Sequence, residues 1–208
     1  MGRHALELKR IPDFSIEKDA EWLGYIFGDG CVSNCTVRAF CLERDLTGLV
    51  QLFKEVFDED PKVMNVTKKD RLTALYAVAY SRRDLVRLLQ EVGFWDDRRR
   101  KQIPVDRLST KEAKCGFIRG WYEADGWVSV NGQICLSHKT KSNSEILVSM
   151  LAGMGMEARI SEHRCKLGTT YDVYLRRKHE VDFMLDIGFM HDFKKIRWET
   201  RSTVGCSL

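Results

Sequence analysis

The sequence predicts an α+β protein built as a tandem αββαββα repeat. The repeat makes two lobes with pseudo-two-fold symmetry, each holding a four-stranded antiparallel sheet. Three observations lead there. A nonapeptide occurs twice, as Trp22-Leu23-Gly24-Tyr25-Ile26-Phe27-Gly28-Asp29-Gly30 and as Ile118-Arg119-Gly120-Trp121-Tyr122-Glu123-Ala124-Asp125-Gly126, 96 residues apart. Each copy runs straight into a β-prone stretch, Cys31-Val32-Ser33 or Trp127-Val128-Ser129-Val130. A second correspondence, Leu88–Phe94 with Phe183–Phe189 at an offset of 95, closes each unit. A unit of that size carries its own core, which excludes a solenoid of short repeats.

The elements follow in order. Residues 1–14 form a basic lead-in without periodicity. The first motif helix starts at Ser15 or Asp19, with Glu17, Asp19 and Glu21 near its positive end. Cys31–Asn34 and Thr36–Glu43 make a hairpin, and Leu46, Leu49, Val50, Phe53 and Phe57 mark one face of a helix over Leu46–Phe57. Val63–Lys68 and Thr73–Tyr80 form the next hairpin, turning at Lys68-Lys69-Asp70-Arg71; Ser81 caps a helix that ends at Gly93. In the second unit, Ser109-Thr110-Lys111-Glu112 reads as a capping box before the second motif helix. Trp127–Val130 and Gln133–Lys139 turn at Asn131-Gly132, a two-residue hairpin signal. Ser142-Asn143-Ser144-Glu145 reads as another capping box and opens a helix to about Met154, Glu157–Arg164 pairs with Thr170–Arg177, and Lys178–Ile187 is the closing helix before Gly188. The expected domains are a first lobe over 15–94, a basic linker over 95–108 and a second lobe over 109–200.

Bulk properties exclude some classes. Thirty-four Lys+Arg against 30 Asp+Glu leave a net charge of only +4, so any polyanion-binding face must come from local clustering. Seven cysteines, odd in number and without Cys-x-x-Cys, speak for reduced thiols over a zinc site. No apolar run approaches the length that spans a membrane, and no signal peptide precedes Ile11-Pro12; the expectation is an intracellular protein, cytoplasmic or organellar.

The motif helices carry the chemistry. Gly24 and Gly28, like Gly120 and Ala124, stand four apart, so each pair lies on one helix face and lets two backbones approach. Asp29 and Asp125 fall at the helix C-termini, where the dipole disfavours an acid, and each is followed by glycine. Packed small face to small face, the helices bring two carboxylates together. That pair calls for a cation.

The two nonapeptides resemble the paired LAGLIDADG motifs of the dodecapeptide homing endonucleases. Gly24, Asp29 and Gly30 match in the first copy, and Gly120, Ala124, Asp125 and Gly126 in the second. The sixth position departs, with Phe27 and Glu123 where the family name has Asp; that position varies in character, so the departure reads as harmless. The resemblance covers nearly all of residues 15–200. It implies that the two sheets form a DNA-binding saddle along the major groove. It further implies a single-chain, monomeric enzyme making Mg²⁺-dependent double-strand breaks in a long asymmetric duplex target, across the minor groove, with short 3′ overhangs. Asp29 and Asp125 would be catalytic and would hold the divalent cations, two or three in number. Lys101-x-Ile103-Pro104 resembles the linker element whose lysine lies beside the scissile phosphate, within the basic run Arg98–Lys101. Aligning Gly93…Lys101 with Gly188…Lys194 adds Lys194 as the second catalytic lysine, with Lys195 almost as eligible.

DNA reading falls to the free sheet faces and their turns. The candidates are Arg38, Glu43 and Arg44 in the first hairpin, Lys139 and Lys141 at the matching place, Lys68, Lys69 and Arg71 at one outer turn, and Arg159, His163, Arg164, Lys166 and Arg176 in the other lobe. Arg or Lys to guanine and Glu to cytosine are contacts open to strand residues, whereas turn lysines suit phosphates. Two alternatives stand: a maturase binding intron RNA, where both aspartates and Lys101 argue against lost cleavage but not against a second activity, and a non-catalytic DNA-binding regulator. Met1 and the ending Cys206-Ser207-Leu208 lack the signature of an intein, so an intron-encoded or freestanding enzyme is expected.

Overall fold

The computed structural model describes residues 8–69, 72–95, 100–165 and 168–202. The first unit runs α1 (Glu17–Asp29), β1 (Gly30–Val32), β2 (Val37–Leu42), a 3-10 turn (Glu43–Asp45), α2 (Leu46–Phe57), β3 (Lys62–Asn65), β4 (Leu75–Tyr80) and α3 (Arg83–Glu91). A 3-10 turn (Val105–Arg107) precedes α4 (Lys111–Asp125), β5 (Gly126–Val128), β6 (Ile134–His138), α5 (Lys141–Gly153), β7 (Ala158–Cys165) and β8 (Gly168–Leu175). A further 3-10 turn (Arg177–His179), α6 (Glu180–Asp186) and α7 (Asp192–Ser202) follow. The two sheets have the same order, β1-β2-β4-β3 and β5-β6-β8-β7, with all neighbours antiparallel. The tandem repeat and its two four-stranded sheets are therefore present as the sequence predicts.

Alternation builds each lobe. On β2, Val37, Ala39 and Cys41 point inward and Arg38 outward, and their cross-strand partner Val78 is also buried. Against that inner face α2 lays Leu49, Phe53 and Phe57, and Trp22 of α1 meets Phe53 and Phe57 edge-on at 5.9 and 5.0 Å. In the second lobe Leu136 and Val173 pair across strands beneath α4, and Tyr122 packs edge-on to Phe183 at 5.0 Å.

The lobes meet through α1 and α4, backbone to backbone. A Cβ added at Gly24 would fall 2.0 Å from the Phe117 carbonyl oxygen, and one at Gly120 1.9 Å from that of Glu21. Gly116, one turn before the motif, is equally tight at 2.1 Å from the Glu17 carbonyl oxygen, so the small face of α4 is a turn longer than the motif suggests. Arg119 pins the contact, its guanidinium 2.7 Å from Glu17 and 3.2 Å from the fully buried Glu21.

Several local expectations need correction. Arg82, not Ser81, precedes α3, with no side-chain cap; the Ser81 hydroxyl hydrogen-bonds that of Thr36 at 3.2 Å instead. The cap of α4 is Thr110 rather than Ser109, its hydroxyl accepting the Ala113 amide at 3.0 Å. α5 begins at Lys141, so Asn143 and Ser144 lie buried within it and not at a capping box. The closing helix splits into the 3-10 turn and α6, and α7 was not expected at all.

Candidate active site between the lobes

Asp29 and Asp125 are the last residues of α1 and α4. The glycines that follow are extended (φ −88° and −83°), not left-handed as a glycine stop predicts. Glycine is required there for space: a Cβ at Gly30 would sit 2.3 Å from the Ile26 carbonyl oxygen, and one at Gly126 2.4 Å from that of Tyr122. Each helix thus runs directly into its first strand and delivers its acid to the junction of the lobes. The two acids converge, since a Cβ on Gly28 would lie 2.4 Å from the Ala124 Cβ and 3.2 Å from an Asp125 carboxylate oxygen.

The electrostatics match that crowding. The Asp29 carboxyl reaches solvent, yet dense protein around it and the nearby Asp125 charge push its pKa up to about 6, against the pull of Lys101 and Lys194. Asp125 is half-buried and also raised, burial being the largest cause, although the Trp121 indole N–H donates to it at 3.3 Å. Among the described residues no group of three or more His, Cys, Asp and Glu is placed to hold a metal. What the centre offers is two hard carboxylates that repel each other. Such a pair fits Mg²⁺, which keeps several waters and takes only one or two carboxylates from a protein.

Two lysines complete a pseudo-symmetric set. Lys101 donates to the carbonyls of Ile26, Phe27 and Gly28 at 2.9, 2.8 and 2.9 Å, satisfying the C-terminal oxygens of α1. Lys194, on the first turn of α7, does the same for α4, donating to Tyr122 and Glu123 at 2.6 and 2.5 Å. Tyr122 and Glu123 are the repeat equivalents of Ile26 and Phe27. Burial pulls both lysines below the ordinary amine range, and the acids of the centre oppose it. Lys195, beside Lys194 in sequence, is exposed, so geometry selects Lys194 as the partner of Lys101. Lys101 spends all three donors on carbonyls, which leaves it to act on a phosphate through its charge alone.

The proposed DNA contacts divide. Arg38 projects from the open face of the first sheet. Glu43 and Arg44 lie in the 3-10 turn beyond β2 rather than on the strand, and the Arg44 guanidinium stacks 4.1 Å over the Phe193 ring of α7. Arg159 and His163 share the open face of the second sheet with Tyr174 and Thr170; Arg159 lies over Tyr174 at 5.2 Å, and His163 is 3.3 Å from Asp172. Arg164 points to the opposite face and pairs with Glu162 at 2.9 Å. Lys68, Lys69, Lys139 and Arg176 are exposed in turns, and Lys141 pairs with Glu145 at the start of α5. Arg71 and Lys166, like Arg98 and Arg99 of the basic run, lie outside the described residues.

The sixth motif positions prove to be structural, which the sequence reading missed: Phe27 is an inter-lobe contact and Glu123 a buried acid of the second lobe. Phe27 stacks on His138 of β6 at 5.4 Å and meets Trp121 edge-on at 4.6 Å. Glu123 is buried beside His191, and burial raises its pKa to about 7. The signal was present: at the sixth position, as at the second (Leu23 against Arg119), an apolar residue in one copy stands against a charged one in the other.

Comparison with known proteins agrees with this architecture. Residues 112–188 match the family model for a LAGLIDADG-like domain. Variants of the homing endonuclease I-DmoI superpose with a TM-score of 0.65 at 19% identity, over 85% of this chain and 97% of theirs. The homing endonuclease I-WcaI, solved on its DNA recognition sequence, gives 0.64 at 13% identity over 91% and 88%. A replication factor C small subunit from Thermococcus kodakarensis is 25% identical over 176 residues, 83% of this chain and 20% of that protein. The chain thus spans about a fifth of that relative's length. The fold is that of the single-chain, two-lobed LAGLIDADG proteins.

Proposed function

We propose that the chain is a site-specific DNA endonuclease that makes double-strand breaks in a long, asymmetric duplex target and acts as a monomer. One observation carries the reading: two carboxylates without an ion-pair partner among the described residues meet at adjacent helix ends, and each helix end is capped by a lysine from a separate segment. Asp29 and Asp125 would hold the divalent ions, two or three, with Mg²⁺ the best fit to oxygen-only donors. Such ions supply an activated water and neutralise charge on the phosphate. The chain's own part is to hold the carboxylates ionised and converging. Lys101 and Lys194 place positive charge beside them, where a phosphorane-like transition state gains negative charge. The dissimilar open faces, Arg38 in one lobe and Arg159 with His163 in the other, suit a target without two-fold symmetry. Complexes of I-DmoI with DNA and Mn support a divalent-ion requirement here.

The test is selection of cleaved ends from a duplex library in Mg²⁺, with Ca²⁺ as a parallel condition and Asp29→Asn and Asp125→Asn as controls. One long site with short 3′ overhangs, lost in either variant, is the expected result. Enriched binding without cut ends in any metal overturns the nuclease reading in favour of a DNA-binding regulator. Preference for intron RNA over duplex DNA at matched salt would favour a maturase.

A further inference from the structure

The two lysines are not equivalent, because a buried acid stands next to one of them only. Glu123 occupies the place that Phe27 holds in the first motif. Its side chain is fully enclosed; one oxygen accepts the Met190 amide at 3.1 Å, and the other lies 3.7 Å from the His191 ring nitrogen Nε2. Neither that oxygen nor that nitrogen has a hydrogen-bond partner closer than the other. The His191 ring in turn rests on α2 of the first lobe, at Gly48, where a Cβ would fall 2.7 Å from the imidazole Cε1. Two residues on, Phe193 lies under Arg44, again from the first lobe. Residues 190–193 are therefore held between α4 and α2, and they fix where α7 begins. Lys194 follows at once.

Lys194 also differs in what it has left to give. Lys101 commits three donors to carbonyls and Lys194 two, so one N–H of Lys194 remains uncommitted among the described residues.

We propose that Glu123 and His191 are positioning residues for Lys194, so that cutting of one DNA strand depends on a contact between the lobes that cutting of the other does not need. The inference rests on the nuclease reading above. Glu123 acts through the Met190 amide; His191 acts as a spacer against Gly48. Neither touches the phosphate.

The experiment uses the full chain on its selected target, with each strand labelled separately and both followed on denaturing gels. Lys101→Met and Lys194→Met first assign each strand to its lysine. Glu123→Leu removes the acceptor of the Met190 amide at nearly the same volume. Gly48→Ala displaces the imidazole from the other lobe while improving the helix propensity of α2. Both are expected to slow the Lys194-dependent strand about 10-fold, the scale of one lost hydrogen bond or positioning contact. The other strand should stay within about twofold by the same scale, so nicked duplex accumulates. DNA affinity in Ca²⁺ should not change. Equal slowing of both strands, slowing of the Lys101-dependent strand, or no slowing overturns the proposal. So does arrest of the same strand by both lysine variants. If the unaltered protein cuts neither strand in Mg²⁺ or Mn²⁺, the nuclease reading itself falls and takes this inference with it.

Discussion

Replacing Asp29 by Asn should make the metal-free protein more stable while abolishing its proposed activity. The Asp29 pKa rises from 3.8 to about 6 on folding. A carboxyl whose pKa is raised in the folded state favours folding when protonated. That contribution is complete below pH 3.8 and is lost as the pH climbs through 6, where the ionised pair begins to oppose folding. A rise of this size corresponds to about 3 kcal/mol at full strength. The Asp29 carboxyl reaches solvent, and screening reduces the figure to the order of 1 kcal/mol. For a chain of this length that is a Tm difference of about 2–4 °C. The assay is thermal unfolding of both proteins in a chelator from pH 4 to 8. Asn should lead by that margin at pH 8 and lose its lead at pH 4. Adding Mg²⁺ should then raise the Tm of the unaltered protein and not that of the variant. A variant less stable than its parent at pH 8 would refute the picture of two mutually repelling carboxylates.

Three further outcomes follow from the same geometry. Gly24→Ala, whose methyl would collide with the Phe117 backbone, should lower stability by about 3 kcal/mol in urea unfolding, whereas Gly153→Ala, with open space around it, should cost nothing measurable. Lys194→Met should stop cutting of one strand and leave nicked duplex, and Lys195→Met should leave both rates within about twofold, since only Lys194 reaches the end of α4. The Mg²⁺ concentration for half-maximal cutting should climb steeply as pH falls below about 6, because both acids must be ionised to bind the ion and both are held above their ordinary pKa.

Much of the fold was legible because the units repeat and the cores are patterned. α2 spans Leu46–Phe57 as its apolar spacing predicts, and the turn at Asn131-Gly132 places Gly132 at φ +83°. α7 was not legible. Phe193, Ile196 and Trp198 are scattered among Lys, Arg and Glu, and its stable placement comes from contacts with α4 and the Arg44 turn, which no local pattern encodes. The capping box at Ser109 failed for a related reason. Thr110 also donates to the Ser15 carbonyl at the start of the other motif helix, so tertiary structure shifted the cap by one residue. At the site, the spacing of small residues foretold the meeting of Asp29 and Asp125. It could not tell Lys194 from Lys195, which differ only in the direction a helix turn gives them.

Arg119 and its two acids carry a consequence for how such a chain stays a single molecule. The contact between α1 and α4 is nearly self-complementary, and nearly symmetric surfaces invite each lobe to pair with a copy of itself in another chain. The repeat equivalents of Glu17 and Glu21 are Ala113 and Phe117, and the equivalent of Arg119 is Leu23. Two second lobes joined by this surface would bury Arg119 against an alanine and a phenylalanine. Two first lobes would bury Glu21 against leucine, with only Lys18 of its own helix left beside it at 3.0 Å. The first pairing strands a desolvated guanidinium, at several kcal/mol, and the second leaves Glu21 without its guanidinium partner. Only first lobe with second brings the guanidinium to its carboxylates. The ion pair thus works as a key that tells the two halves apart, and it keeps a surface inherited from symmetry from being used symmetrically.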